Sequence, residues 1–307
     1  LESSLFVLER KPPYIDHDRL FKELIQTFFQ EFIEAFFPEE YSYINFSTAR
    51  FLEQEIFTDI IKGERRRIDI LAEVNFKGED KILLIHIEPQ SYYQQEFHER
   101  MFIYYSRLYE KHRKPILPIA IFSYNDRKEV PEQLTVKFPS LSVLEFRYLK
   151  LHLINKNWRQ FIHKDNPAAA ALLSKMGYTE EERVQVKLEF LRMVSRMELN
   201  PAKMELIYGF FETYLKLNDK EEEQMNKEVS KLPKEEADRI LELPNSYIEK
   251  GIEIGIKEGI EKGIEKEREQ VVHNMLKKGL SLELIAEVSG LSIDKVVKIK
   301  DNLDGEI

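Results

Sequence analysis

The sequence predicts an α/β protein, a mixed sheet flanked by helices, followed by an all-helical C-terminal region. Three observations predict it. Residues 66–74 (R-R-I-D-I-L-A-E-V) and 81–91 (K-I-L-L-I-H-I-E-P-Q-S) read as two apolar strands around a polar turn. Residues 116–124 (I-L-P-I-A-I-F-S-Y) are a continuous apolar run of the kind found in a buried strand. Helical periodicity brackets these strands, and the order helix, strands, helix, strand implies helices packed on a sheet. From Asn166 onward no strand pattern recurs.

In chain order, Asp18 is placed to cap a helix running to about Phe37, with Leu20, Phe21, Leu24, Ile25, Phe28, Phe32 and Phe36 inward. Pro38 ends it. A strand is expected around Ser47–Phe51, then the hairpin, centred near Gly78 and Glu79. Gln94–Lys114 reads as a second helix, with Phe97, Met101, Tyr104, Tyr105 and Leu108 inward, and Val143–Leu153 as a further strand. The run A-A-A-A-L-L-S-K-M-G ends in Gly177, the residue type of a helix C-cap. Thr179 and Glu182 have capping-box spacing and open a helix to about Glu198. Pro201 suits the first turn of the next, which carries Leu206, Tyr208, Phe210, Phe211 and Tyr214. Residues 219–242, with nine acidic and five basic side chains, read as a solvent-exposed helical connection. The organisation is thus a core over 14–165, a helical region over 166–244 and a tail over 245–307.

The tail repeats glycine at 251, 255, 259 and 263, each followed by isoleucine. A period of four keeps both sets on a slowly winding helical stripe. Each interior glycine costs about 0.8–1.0 kcal/mol relative to alanine, so such a helix needs close packing against a partner. A homodimer through this stripe is one reading, and a flexible low-complexity linker is the other. Downstream, residues 280–300 read as two short helices capped by Ser281 and Ser292, with Ala286, Gly290 and Val296 at helix-turn-helix positions. The second helix offers Lys295, Lys298 and Lys300 but also Asp294 and Asp301. Both a DNA-binding module and a plain helical cap fit that pattern.

Composition narrows the chemistry. The chain has 307 residues and no cysteine, which excludes disulfides, thiolate metal sites and cysteine nucleophiles. Its seven histidines show no paired zinc spacing. A net charge of −9 argues against a non-specific nucleic-acid coat. Local basicity exists at Lys62–Arg67 and again at Arg147, Lys150, Lys156, Arg159 and Lys164, the latter reading equally as a solvated face. No run approaches the roughly 20 apolar residues of a membrane span. The opening L-E-S-S-L-F-V-L-E-R is too short in apolar residues for a signal peptide, and without an initiator Met it is not taken as the true start. A cytoplasmic protein with no membrane partner is expected.

The chemistry-bearing residues lie in the hairpin. A turn centred between Gly78 and Glu79 sets Asp69 opposite Glu88, with Arg67 and Asp69 on one face of the first strand and His86, Glu88 and Gln90 on one face of the second. Carboxylates buried among Ile and Leu require compensation, and a divalent ion is the usual form when two face each other. Pattern alone also permits solvent-facing strand-end charges paired with Arg67 or Lys81.

An Asp on one strand and Glu-x-Gln at the end of the next, here Asp69 and Glu88-Pro89-Gln90, resembles the signature of the PD-(D/E)xK restriction-endonuclease-like superfamily, with Gln in place of Lys. With D-H-D-R-L-F-K-E-L (16–24), R-R-I-D-I-L (66–71) and H-E-R-M-F-I-Y-Y (98–105), the chain resembles the Rpn/YhgA-like group of recombination-promoting nucleases and transposase-related proteins over roughly 14–125. The resemblance implies a PD-(D/E)xK nuclease core and a Mg2+-dependent DNA endonuclease, with Mn2+ or Ca2+ as alternative ions. Asp69, Glu88 and the Pro89 carbonyl would be its metal ligands. Gln90 takes the superfamily lysine position, Arg67 or Arg100 supplies the missing charge, His86 shares the Glu88 face, and Glu23 is an additional acid. The rival expectation is a catalytically weak relative acting as a dimeric DNA- or protein-binding module.

Overall fold

The structure, a computed structural model, describes residues 17–53, 56–58, 65–67, 69–243, 271–272, 274–289 and 291–304. The chain divides into two units, Leu1–Leu243 and Pro244–Ile307.

The first helix is broken where the sequence predicts continuity. α1 (His17–Thr27) buries Phe21, Leu24 and Ile25, and α2 (Phe29–Phe36) buries Phe29, Phe32, Ile33 and Phe36. Between them Phe28 has φ −120° and ψ 42°, outside helical geometry. Asp18 lies within the first turn of α1, not ahead of it. Pro38, expected only as a stop, opens α3 (Pro38–Tyr43), where its missing N–H costs no helical hydrogen bond.

Then follow β1 (Ile44–Phe51), β2 (Ile56–Thr58), β3 (Arg65–Arg67), β4 (Ile70–Phe76), β5 (Ile82–Gln90), α4 (Phe97–His112), β6 (Ile116–Phe122), β7 (Gln133–Phe138), β8 (Leu141–Arg147) and β9 (Leu149–His152). Five strands form a mixed sheet in the order β1-β4-β5-β6-β9. The β1–β4 and β4–β5 pairs are antiparallel, whereas β5–β6 and β6–β9 are parallel. β5 is the middle strand and is buried from Leu83 to Gln90, which accounts for its near-continuous apolar sequence. α4 covers one face, where Tyr104 and Leu108 pack with Leu71 and Leu84, and α1 also packs against β5.

Two strand expectations are corrected. The segment 66–74 is not one strand: β3 pairs with β2 in a separate two-stranded sheet, and β4 begins only at Ile70. Val143–Leu153 is likewise split. β8 pairs with β7, which the sequence pattern did not reveal, while β9 rejoins β6. The split follows from packing, since Leu134, Leu144 and Phe146 of the hairpin lie on the cluster around Phe97 and Phe122.

The helical region belongs to the same unit. Asn166 caps α5 (Pro167–Leu172) by accepting from the Ala169 N–H at 2.9 Å, and its Nδ2 donates to the Glu31 carbonyl of α2 at 2.9 Å. Gly177 is not a left-handed C-cap. It bridges Asn157, and a Cβ there would meet the Ile154 carbonyl oxygen at 2.4 Å, so the position requires glycine for close approach. Thr179 and Glu182 do form the capping box, as one 3₁₀ turn leading into α6 (Arg183–Ser195). Asn200 and Pro201 open α7 (Pro201–Tyr214). The charged stretch 219–242 is not a solvated connection but two packed helices, α8 (Asp219–Ser230) and α9 (Lys234–Leu241). They bury Met225, Val229 and Ile240 and are tied to α6 through Arg183–Glu221 at 2.8 Å and Arg192–Glu236 at 2.7 Å.

In the second unit the glycine repeat lies outside the described residues, and with it the homodimer expectation. Residues 271–272 and 274–277 are helical, followed by α10 (Leu282–Ser289) and α11 (Ile293–Asp304). Val272, Ile285 and Val296 are their shared core. Ser281 and Ser292 accept from the N–H groups of Leu284 and Lys295, each at 3.4 Å, in the expected cap positions. Among the described residues no helix is long and apolar enough to cross a membrane.

Candidate active site

The register of the central hairpin agrees with the sequence expectation. Ile70 faces Ile87, Leu71 faces His86, and the pairing continues unbroken to Asn75 and Ile82. Gly78 turns the chain with a φ of +75°, a conformation open to glycine without strain. Asp69 lies just ahead of β4, and the same register extended one step beyond Ile70–Ile87 would set it opposite Glu88, on the sheet face that α4 covers.

That face is unusually polar for a middle strand. His86, Glu88 and Gln90 are buried, with Glu88 at 0% exposure, and Asp69 is partly buried. Arg100 reaches this face because Phe97, Arg100, Met101 and Tyr104 follow one another at helical spacing on the inner side of α4. Its Nη2 donates to Glu88 Oε1, its Nη1 to Gln90 Oε1 at 3.2 Å and to Gln94 Oε1 at 3.1 Å, and its Nε to the Tyr104 hydroxyl at 3.2 Å. Its guanidinium lies 5.3 Å from the Tyr104 ring centroid. Burial works against the Arg100 charge, but Glu88 and Tyr104 outweigh it and hold the pKa above the ordinary value. The other Glu88 oxygen has His86 Nε2 at 3.4 Å, and the His86 ring meets Tyr104 edge-on at 5.7 Å.

Asp69 is in the opposite condition. Burial first, then the charges of Glu88 and Asp18, push its carboxyl up to about 7, against weaker help from Arg100 and Lys22. Among the described residues the guanidinium at this site is committed to Glu88, and its pull on Asp69 is weaker than burial and the like charges. Asp18 and Lys22, one helical turn apart on α1, are the residues that sequence reasoning missed here. Their spacing was the available signal. Glu23, the acid singled out on that helix, is exposed.

Gln90 uses its amide in both directions. While Oε1 accepts from Arg100, Nε2 donates to the Tyr92 carbonyl at 2.9 Å. A lysine has only donors and would set an ammonium against the guanidinium. Pro89 pairs with Ile121 of β6 within the sheet. Arg67 ends β3 in the separate small sheet, so it does not share a strand with Asp69 as expected. Of the later cations, Arg147, Lys150, Arg159 and Lys164 are each paired to an acid, Glu145, Glu129, Glu182 and Glu34 respectively.

Compared with family models, with curated proteins and with solved structures, the chain matches none.

Among the described residues no group of three or more His, Asp or Glu side chains is placed to hold a metal ion. Mg2+ is commonly held by one or two carboxylates, with waters and substrate oxygens completing the shell. Of the Asp69–Glu88 pair, Glu88 has both oxygens engaged, by Arg100 and His86, while Asp69 carries the raised pKa.

Proposed function

We propose that the chain is a metal-dependent DNA endonuclease of the PD-(D/E)xK type, related to the Rpn/YhgA-like group and acting in recombination, transposition or defence. The observation that carries this reading is the proximity of Asp69 to Glu88 at the open end of the β4–β5 ladder, where the Glu88 charge helps to raise the Asp69 pKa.

Asp69 and Glu88 would hold the ion, with the Pro89 carbonyl as third ligand by analogy to the superfamily. Mg2+, when bound, supplies Lewis-acid activation of water and neutralises charge on the scissile phosphate. Arg100 fixes the Glu88 carboxylate and keeps a full positive charge beside it. Gln90 is a positioning residue, since an amide carries no charge and cannot act as a base. His86, buried against Tyr104, orients the second Glu88 oxygen rather than meeting solvent.

A second reading is favoured by the engagement of both Glu88 oxygens and by the absence of a lysine at position 90. It is a catalytically weak relative that binds DNA or protein, dimerising through the tail. Nicking of supercoiled plasmid by the full chain in Mg2+, Mn2+ and Ca2+, with EDTA as control, decides between them. Metal-dependent nicking abolished in Asp69→Ala and Glu88→Ala supports the nuclease. DNA retention without nicking in any metal supports the binding module.

A further inference from the structure

The loop after β5 leaves two aromatic rings in solvent beside the Asp69–Glu88 pair. Tyr92 is 60% and Tyr93 37% exposed. The Tyr92 backbone is fixed by Gln90 Nε2, whose Oε1 is tied to Arg100, so this loop is anchored directly to the charged cluster. Tyr93 meets Tyr124 edge to face with ring centroids 6.2 Å apart, and Lys128 Nζ lies 5.4 Å from the Tyr93 ring centroid. Both loops leave the carboxyl ends of the parallel strands β5 and β6, the end at which open α/β sheets receive ligands.

Beneath these rings Tyr124 is 8% exposed, and its hydroxyl is buried with no hydrogen-bond partner. Burial, then Tyr93, pushes its pKa up to about 12, so the hydroxyl remains a donor. An unmet buried donor is unfavourable.

We infer that Tyr92 and Tyr93 form a stacking shelf for an unpaired base next to the phosphate site, so that the substrate is single-stranded or locally unpaired DNA. This rests on the nuclease reading above. A base within a duplex has both faces covered by its neighbours and reaches such a ring only when unpaired. Stacking also suits a chain of net charge −9, whose overall charge opposes retention of a polyanion.

The test is fluorescence anisotropy of the full chain in EDTA with a labelled oligo(dT) of about 15 nucleotides, and with a duplex of that length. The oligonucleotide should bind more tightly than the duplex. Tyr93→Ala should weaken it about tenfold, whereas Tyr93→Phe keeps the stacking face. Tyr92→Ala, at a site exposed enough to leave folding intact, should weaken it less. Absent oligonucleotide binding, duplex binding as tight as single-strand binding, or unchanged affinity in Tyr92→Ala and Tyr93→Ala overturns the shelf. Parallel nicking assays in Mn2+ keep the two readings apart. Cleavage with affinity indifferent to both tyrosines removes the shelf alone. Tyrosine-dependent binding with no cleavage removes the nuclease alone.

Discussion

The β4–β5 hairpin carries a buried acid, Glu73, within its ladder and a partly buried one, Asp69, at its open end, and the two places treat their charge oppositely. Glu73, 7% exposed, receives Lys114 Nζ at 2.5 Å and Arg50 Nη2 at 2.5 Å. The Lys114 ammonium, then Arg50, hold its carboxyl below the usual range despite burial. Four residues earlier and one step beyond the open end of the ladder, Asp69 lies near another carboxylate and is pushed up to about 7. Glu73 lies within β4 and Asp69 just ahead of it at even spacing, so alternation along the chain does not distinguish them. What does is the neighbouring elements: β1 and the segment after α4 bring cations to Glu73, whereas α4 brings one guanidinium to Glu88 and α1 brings Asp18 toward Asp69. A charge-satisfied acid holds the sheet together, and an acid with a raised pKa is where the proposed cation would be tested.

The largest expected effect is at Glu88. Glu88→Ala leaves the Arg100 charge buried without its partner, which should cost about 3–5 kcal/mol in urea unfolding. It should also abolish nicking. Full activity in this variant sinks the metal pair.

Asp69→Asn breaks the comparison from the other side. Nicking should fall by at least about 100-fold, while stability in EDTA at neutral pH should rise by about 1–3 kcal/mol, because a like charge has been removed. Loss of stability together with loss of activity would mean that Asp69 is structurally paired. Glu73→Gln should do the reverse, costing about 1–3 kcal/mol with nicking retained.

The same contrast sets opposite pH dependences. The folded Asp69 pKa of about 7 stands above its ordinary 3.8, so between these values the folded chain binds a proton that the unfolded chain has lost. Its contribution to stability therefore declines as pH rises through that window. Glu73, held below its ordinary 4.5, contributes stability above that value and loses it as pH falls through the lowered one. Melting temperatures in EDTA from about pH 5 to about pH 8 should fall less in Asp69→Asn than in wild type, with Glu73→Gln following wild type. Parallel curves for wild type and Asp69→Asn refute the assignment.

Smaller changes are expected at position 90. Gln90→Ala should reduce nicking by about tenfold through lost positioning, and Gln90→Lys should reduce it further by opposing Arg100. An active Gln90→Lys would show that Arg100 can release Gln90 without loss. The smallest effect is expected from truncation after Asn245, which removes the second unit and none of the proposed ligands. Nicking per molecule should change less than about twofold. A shift from dimer to monomer on sedimentation would assign association to the tail.

The sequence alone determined what depends on neighbours along the chain. The turn at Gly78 sets the pairing of Ile70–Asn75 with Ile82–Ile87 and hence the opposition of Asp69 and Glu88, because side chains alternate strictly along a strand. Capping chemistry likewise needs only three or four residues, as Thr179 with Glu182 and Asn200 with Pro201 show. Tertiary structure decided the rest. Nothing local distinguishes Glu73 from Asp69, commits Arg100 to Glu88, turns Gly177 from a helix cap into a close-approach residue, or moves Asp18 and Lys22 into the field of Asp69. Each of these depends on a charge or a backbone atom that arrives from a distant segment, and electrostatic energy is set by distance in space, not by separation along the chain.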